Sequence, residues 1–472
     1  MTEDTIHPYK DRIRAPSNAP QESQIITLPH DITTLLITEY LHDDLTALSS
    51  LSMTCHLLND HCRPQVFRTV VVGSKALAAH GKVDHPHSSM ELAQLVAILR
   101  QSPDIAELIQ DLRVFQSGLA HNPGLRSALH VDDGQDLEFL FTRPMRNLRR
   151  LELILHLHWA RIATTVQDSY RQVFSLPNLC EVHLDTLGIP TTHLAHLPVD
   201  LGTLRIRGSI SRPAEYQDKE EDPSKVIEPR HVIVQARRLH MDIIRGLDHF
   251  SSPVRFTSLQ SFEYFGNGGD LNIVSEMVGK QGSSITRLRL AVNTWSVGMI
   301  WLPSLLLNPH HIKRFSTVPD YFDASLFQSL KILELGMQCG DPSSSSREPL
   351  LRFLWISDTL KTLPDDTLIE TITLTIDFDM SLSPRVPDIP WDTLDNIFSP
   401  QERAKGRFGH LKRVTLLACS HLPMEDVENR HPQVHEAHTL WIREVKNRLQ
   451  HLSLLGVLET RFISFDASIL DM

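Results

Sequence analysis

Beyond Ile105 the chain repeats one spacing of apolar positions, apolar-x-x-apolar-x-apolar. The first copies are Ile109, Leu112, Val114; Leu148, Leu151, Leu153; Leu179, Val182, Leu184; Leu201, Leu204, Ile206; Ala236, Leu239, Met241; and Leu259, Phe262, Tyr264. Four more follow at Ile285, Leu288, Leu290; Leu330, Leu333, Leu335; Ile369, Ile372, Leu374; and Leu411, Val414, Leu416, with an eleventh expected around Leu458 to Phe465. The last two apolar positions of each copy are two residues apart, the period of a strand with one buried face. A single strand and its returning segment cannot bury that face, so copies in series predict a stacked array in which neighbours complete one another's core. The copies lie about 22 to 45 residues apart, mostly wider than the roughly 20 to 29 of regular repeats of this kind, so helices or insertions fill several units. Return helices are expected over Arg161 to Phe174, Leu350 to Lys361 and Gln433 to Leu449. Polar or Pro-rich stretches near 212–230, 341–349 and 381–390 break the pattern and are expected to be exposed loops.

The region before the array is organised differently. Residues 1–24 carry Pro8, Pro16 and Pro20 without apolar periodicity and read as a flexible tail. From 25 to 68 a helical module is predicted. Ile32, Leu35, Leu36, Glu39 and Tyr40 recur at helical spacing after Pro29, a residue suited to a first helical turn. A second helix starts after Asp43-Asp44 and carries Leu45, Leu48, Leu51, Ser52 and Cys55 on one side, and Pro64 is expected to turn the chain. Helices this short make a small core, so apolar side chains are expected to remain for a partner. Residues 69–104 supply a connecting strand and a helix, for which Ser88 and Glu91 have capping-box spacing.

The segment from Leu28 resembles the F-box. The resemblance lies in Leu28-Pro29, Asp31, Ile32, Leu36 with Ile37, Leu41, the run Leu51-Ser52-Met53-Thr54-Cys55, and Phe67. His56 stands where a basic Arg is usual, and Leu57-Leu58 where an aromatic is common. The order that follows, FRTVVV and then a helix ending in SPDIAELIQDLRVF, looks like the F-box-like proteins of basidiomycete fungi, and the array from 105 to 472 resembles irregular leucine-rich repeats. The fold class so implied is α/β: a small helical F-box-like module, then a leucine-rich-repeat solenoid with a curved parallel sheet and outer helices. The resemblance also implies docking on a Skp-type adaptor of a cullin ubiquitin ligase, carried by Leu28, Pro29, Ile32, Leu36, Leu41, Leu48, Leu51 and Met53. Several of these can equally form the module's own core.

Composition narrows the function classes. Hydrophobic residues make up 41% and charged residues 22%, which fits a folded chain with a sizeable core. A net charge of -11 argues against general nucleic-acid binding. The five cysteines, Cys55, Cys62, Cys180, Cys339 and Cys419, form no CxxC pair and read as reduced thiols of a cytoplasmic or nuclear protein. No signal peptide or membrane span is expected, since the most apolar window, Met299 to Leu307, is short and interrupted by Pro303. Walker, GxGxxG, GxSxG and HExxH signatures do not occur, so neither an enzyme nor a cofactor is expected. Other features read as structural: the histidines His80, His85 and His87, the group Cys55, His56, His61 and Cys62, the glycines in FGNGGD, the acids Asp377 and Asp379, and the run Ser343 to Ser346.

Alternation along the predicted strands sends one set of side chains to the inner face. One row is Arg113, Glu152, His183, Arg205, His240, Glu263, Arg289, Glu334, Thr373 and Thr415, and its neighbour includes Asp111, Arg150, Glu181, Arg238, Arg287 and Arg413. Arginine is prominent there although the chain is acidic overall. Arg150, Arg205, Arg238, Arg287 and Arg289 are therefore candidates for holding an acidic or phosphorylated client segment, and cross-strand Arg-Glu pairing is the competing expectation. The leading functional expectation is a client-recognition adaptor for a ubiquitin ligase. A repeat scaffold whose first helices only cap the array is the second, and a hydrolase with an unfamiliar site the third.

Overall fold

This computed structural model describes residues 29–73, 89–116, 131–211, 226–236, 247, 252–266, 271–280, 284–292, 322–339, 348–378, 390–420 and 432–464. They fall into two compact units, one ending at Val66 and one beginning at Phe67.

The first unit is helical. α1 (His30–Leu35) passes directly into a π-helical turn over Leu36–Tyr40, closed by a hydrogen bond from the Leu41 N–H to the Leu36 carbonyl at 3.1 Å. α2 (Leu45–Ser52) starts where the Asp44 carboxylate accepts from the Ala47 N–H at 2.9 Å, so the acidic residue satisfies a donor that the helix itself leaves free. α3 (His56–Val66) contains Pro64 rather than stopping before it. A proline in the last turn forfeits one hydrogen bond but leaves no long stretch of helix to distort. Ile37, Leu48 and Cys62 form the buried centre, with Leu41, Leu45, Leu51, Leu58 and Val66 packed around them.

The second unit is α/β, built on one open 13-stranded sheet in which every neighbouring pair is parallel. Its strands are β1 (Thr69–Gly73), β2 (Ser89–Met90), β3 (Asp111–Gln116), β4 (Arg150–His158), β5 (Glu181–Pro190), β6 (Thr203–Ser211), β7 (His231–Ala236), β8 (Ser261–Gly266), β9 (Arg287–Val292), β10 (Ile332–Cys339), β11 (Thr371–Phe378), β12 (Arg413–Ser420) and β13 (Leu458–Ser464). From β3 to β13 the spatial order follows the chain, while β1 lies between β3 and an outermost β2. Returning segments between parallel strands include helices at Leu92–Gln101, Val131–Phe141, Thr164–Phe174, Glu348–Lys361 and Pro432–Arg448. The first of these begins after Glu91, whose N–H bonds to Gln94 Oε1 at 3.1 Å, and Ser88 lies outside the described residues.

The apolar signature lines the core face. Leu112, Leu151, Val182, Leu204, Val232, Phe262, Leu288, Leu333, Ile372 and Val414 stand side by side across the sheet, and all are fully buried. One copy differs from its sequence assignment: β7 contributes Val232 and Val234 behind a buried Pro229, Ala236 is its last residue rather than the first apolar place, and Leu239 and Met241 lie outside the described residues. Proline occupies the first apolar place there, and Val232-Ile233-Val234 is apolar without interruption, so the alternation is hidden. The segment expected to loop as far as 230 is also packed at its end, where Ile227 is buried and its N–H bonds to the Pro253 carbonyl at 2.9 Å.

Candidate recognition surfaces

The face of the sheet opposite the core carries polar rows set by register. One runs Arg113, Glu152, His183, Arg205, Ile233, Glu263, Arg289, Glu334, Thr373, Thr415 and Glu459. Ile233 holds the place assigned to His240, which lies outside the described residues, because β7 lies further back in the chain than its sequence pattern implied. The adjacent row includes Asp111, Arg150, Glu181, Thr203, His231, Ser261, Arg287, Ile332, Thr371 and Arg413. His231 stands where Arg238 was expected, and Arg238 lies outside the described residues.

These charges neutralise one another within and across strands. Arg113 Nη2 is 3.0 Å from Asp111, and its Nε is 3.7 Å from Glu152. Arg150 reaches Glu152 at 3.6 Å, Glu181 at 3.7 Å and Asp111 at 3.9 Å. His183 sits inside this group, its Nε2 2.8 Å from Glu181 and its Nδ1 3.4 Å from Arg150 Nη2. The hydrogen bond from His183, aided by Arg150, holds the Glu181 carboxyl below its ordinary range against the cost of burial. Burial raises Glu152, but the His183 ring with Arg150 and Arg113 outweighs it and leaves that carboxyl lowered as well. Further along, Arg287 meets Glu334 at 2.8 Å, and Arg289 bridges Glu263 at 3.5 Å and Glu334 at 3.4 Å while its guanidinium lies 4.9 Å from the Phe265 ring centroid.

Arg150, Arg287 and Arg289 thus have carboxylate partners, and Arg205 is also engaged. An acidic segment would have to compete with Glu181, Glu263 and Glu334 for them. Arg413 differs: it is exposed, faces Thr371 on β11, and among the described residues has no side-chain partner. The sequence placed Arg413, Thr373 and Thr415 in these rows but did not assign Thr371 as the residue facing Arg413. Because the Arg287–Glu334 pair is partly solvated, a double-mutant cycle of Arg287→Ala and Glu334→Ala is expected to give a coupling of about 0.5 kcal/mol. Denaturant unfolding of the four proteins measures it, and a coupling near zero would mean that the pair is not held.

The helical unit offers a second surface. Of the residues expected to dock, Pro29, Ile32, Leu36 and Met53 are exposed, while Leu41 and Leu51 are half-buried. Leu48 is completely buried and belongs to the unit's own core, so it is inaccessible to a partner; Leu28 lies outside the described residues. Three residues absent from the expected set, Leu35, Tyr40 and Leu57, are also exposed. The π-helical turn bears on this: it adds a residue to the turn and shifts the helical phase, a change that apolar spacing does not announce.

Among the described residues, no group of three or more His, Cys, Asp and Glu is placed to hold a metal ion, and no helix is long and apolar enough to cross a membrane. His80, His85 and His87, the second and third glycines of FGNGGD, Asp379 and Ser343 to Ser346 lie outside the described residues. An open cleft of about 350 Å³ is lined by Asp365, Asp366, Lys405, Gly406 and His410, but Asp365 is already paired with Arg407 at 2.7 Å. No protein-family model and no curated protein matches the chain.

Proposed function

We propose that this chain is a client-recognition adaptor of the F-box kind, whose helical unit docks on a Skp-type subunit of a cullin ubiquitin ligase and whose repeat sheet, of the irregular leucine-rich class, selects a client protein. One observation carries the reading. Ile32, Leu35, Leu36, Tyr40, Met53 and Leu57 are half of the exposed large apolar residues among those described, yet they fall in a unit with only Ile37, Leu48 and Cys62 at its buried centre. Exposed apolar side chains concentrated on so small a unit favour a partner that covers them. Serial parallel strands with neutralised polar rows supply a rigid scaffold for the second task, and exposed Arg413, facing Thr371, is a place for an acidic client group because among the described residues no carboxylate is paired with it.

Calorimetric titration of the full chain with a purified Skp-type adaptor tests the docking. The double substitution Ile32→Glu with Leu36→Glu is expected to weaken binding by about a hundredfold or more, because it sets two charges into an apolar contact. Both positions are exposed, so helical content measured by circular dichroism is expected to be unchanged. A well-folded wild-type chain that does not bind the adaptor would overturn the reading.

A further inference from the structure

The two edges of the sheet are unequal. At one edge β2 has two residues; at the other β13 has seven, and among the described residues nothing pairs with its outer side. The Val414 N–H bonds to the Val457 carbonyl, and ladder alternation then points the backbone groups of Glu459, Arg461 and Ile463 at β12. Those of Leu458, Thr460 and Phe462 point outward, open to another strand.

On the polar face of this edge, Arg461 Nε donates to Glu459 Oε1 at 2.7 Å. Their neighbours on β12 are Thr415 and Leu417, which carry no charge. The same acid-x-Arg arrangement occurs on β3 as Asp111 and Arg113, and there β4 completes it with the reverse order, Arg150 and Glu152. Parallel register sets Asp111 beside Arg150 and Arg113 beside Glu152, so each charge faces its opposite. A parallel neighbour of β13 would likewise need Arg-x-acid. An antiparallel neighbour would need acid-x-Arg, which is what β13 itself provides.

We propose that β13 pairs antiparallel with β13 of a second copy of this chain, about a two-fold axis at Thr460. The outward backbone groups of Thr460 allow the two copies to exchange both hydrogen bonds at that residue. Glu459 then faces Arg461 of the second copy at the non-hydrogen-bonded positions, where side chains come closest. Two-fold axes at Leu458 or Phe462 also satisfy the backbone, but they set Glu459 against Val457 or Arg461 against Ile463. Only the Thr460 axis pairs the charges, and one patch serves both copies, as an isologous interface requires. This inference is independent of adaptor docking.

Sedimentation velocity of the full chain over a wide concentration range is expected to show a reversible monomer–dimer equilibrium that weakens as salt is raised. Glu459→Arg and Arg461→Glu each turn two attractions into two repulsions by symmetry, and each is expected to raise the dissociation constant by about tenfold or more. The double variant E459R/R461E restores opposite charges and is expected to return the constant to near the wild-type value. Both side chains lie on the polar face, and melting curves check that the variants fold. A monomer at every concentration, or a dimer indifferent to the single reversals, would overturn the proposal.

Discussion

Gly208→Ala is expected to destabilise the sheet unit by about 3 kcal/mol or more, combining backbone strain with a clash that only a shift of the neighbouring strand relieves. Gly208 lies on β6 opposite Thr186 of β5 and has φ +116°, a conformation open mainly to glycine. A Cβ there would fall 2.1 Å from the Thr186 carbonyl oxygen, which is backbone and cannot rotate away. The register between β5 and β6 shifts just beyond, between Thr186 and Ile189, so Gly208 closes the regular part of this ladder. Arg207, the preceding residue, lies 3.6 Å from Asp185, and a displaced β6 would break that contact too. Gly456 is the control: its φ is +67°, but a Cβ added there would meet nothing within 4 Å, so Gly456→Ala is expected to cost only about 1 kcal/mol for the left-handed backbone. Denaturant midpoints of the two variants decide the matter. Equal losses would mean that close approach at Gly208 contributes nothing.

Acidification is expected to remove about 3 kcal/mol of stability through His193 between neutral pH and pH 4. This ring sits in the short helical turn Thr191–Leu194, buried and edge-on to Trp159 at 4.9 Å between centroids. Burial chiefly, with Arg171 and His196 adding repulsion, pushes its pKa down to about 4 from the ordinary 6.5. A histidine whose folded value is depressed takes up its proton more readily in the unfolded chain. Its stabilising contribution is therefore intact above about 6.5 and declines as pH falls toward 4. Glu152 and Glu181 act later: their folded values lie below the ordinary 4.5, so their contributions persist to that point and are lost only under stronger acid. His193→Leu should flatten the profile between pH 6.5 and 4.5, a window set by those ordinary values. The same slope in both proteins would assign the acid sensitivity elsewhere.

Much of the sheet could be read from apolar spacing because the physical demand was local. Leu151 and Leu153, or Ile372 and Leu374, had to be buried two residues apart on one strand, and the sequence displays that directly. It failed at β7, where Pro229 and the unbroken run through Val234 concealed the same demand. In the helical unit the apolar spacing foretold apolar side chains beyond what a small core can bury, but it could not separate buried Leu48 from exposed Leu36. That separation depends on the π-helical turn and on which face meets α2 and α3.

The charged rows show the division most clearly. Strand alternation alone determined that Arg150, Glu152, Arg287, Arg289 and Glu334 share one face, since a two-residue period leaves no choice once their apolar neighbours are buried. Which charge meets which was decided only by tertiary structure. Arg287 and Glu334 are 47 residues apart in the chain and become neighbours because packing of the core sets the register of β9 against β10. The same assembly left Arg413 facing Thr371 and Glu459 with Arg461 on the outermost strand among the described residues, because cross-strand partners come from separate repeats and the core contacts that align them specify no polar pairing.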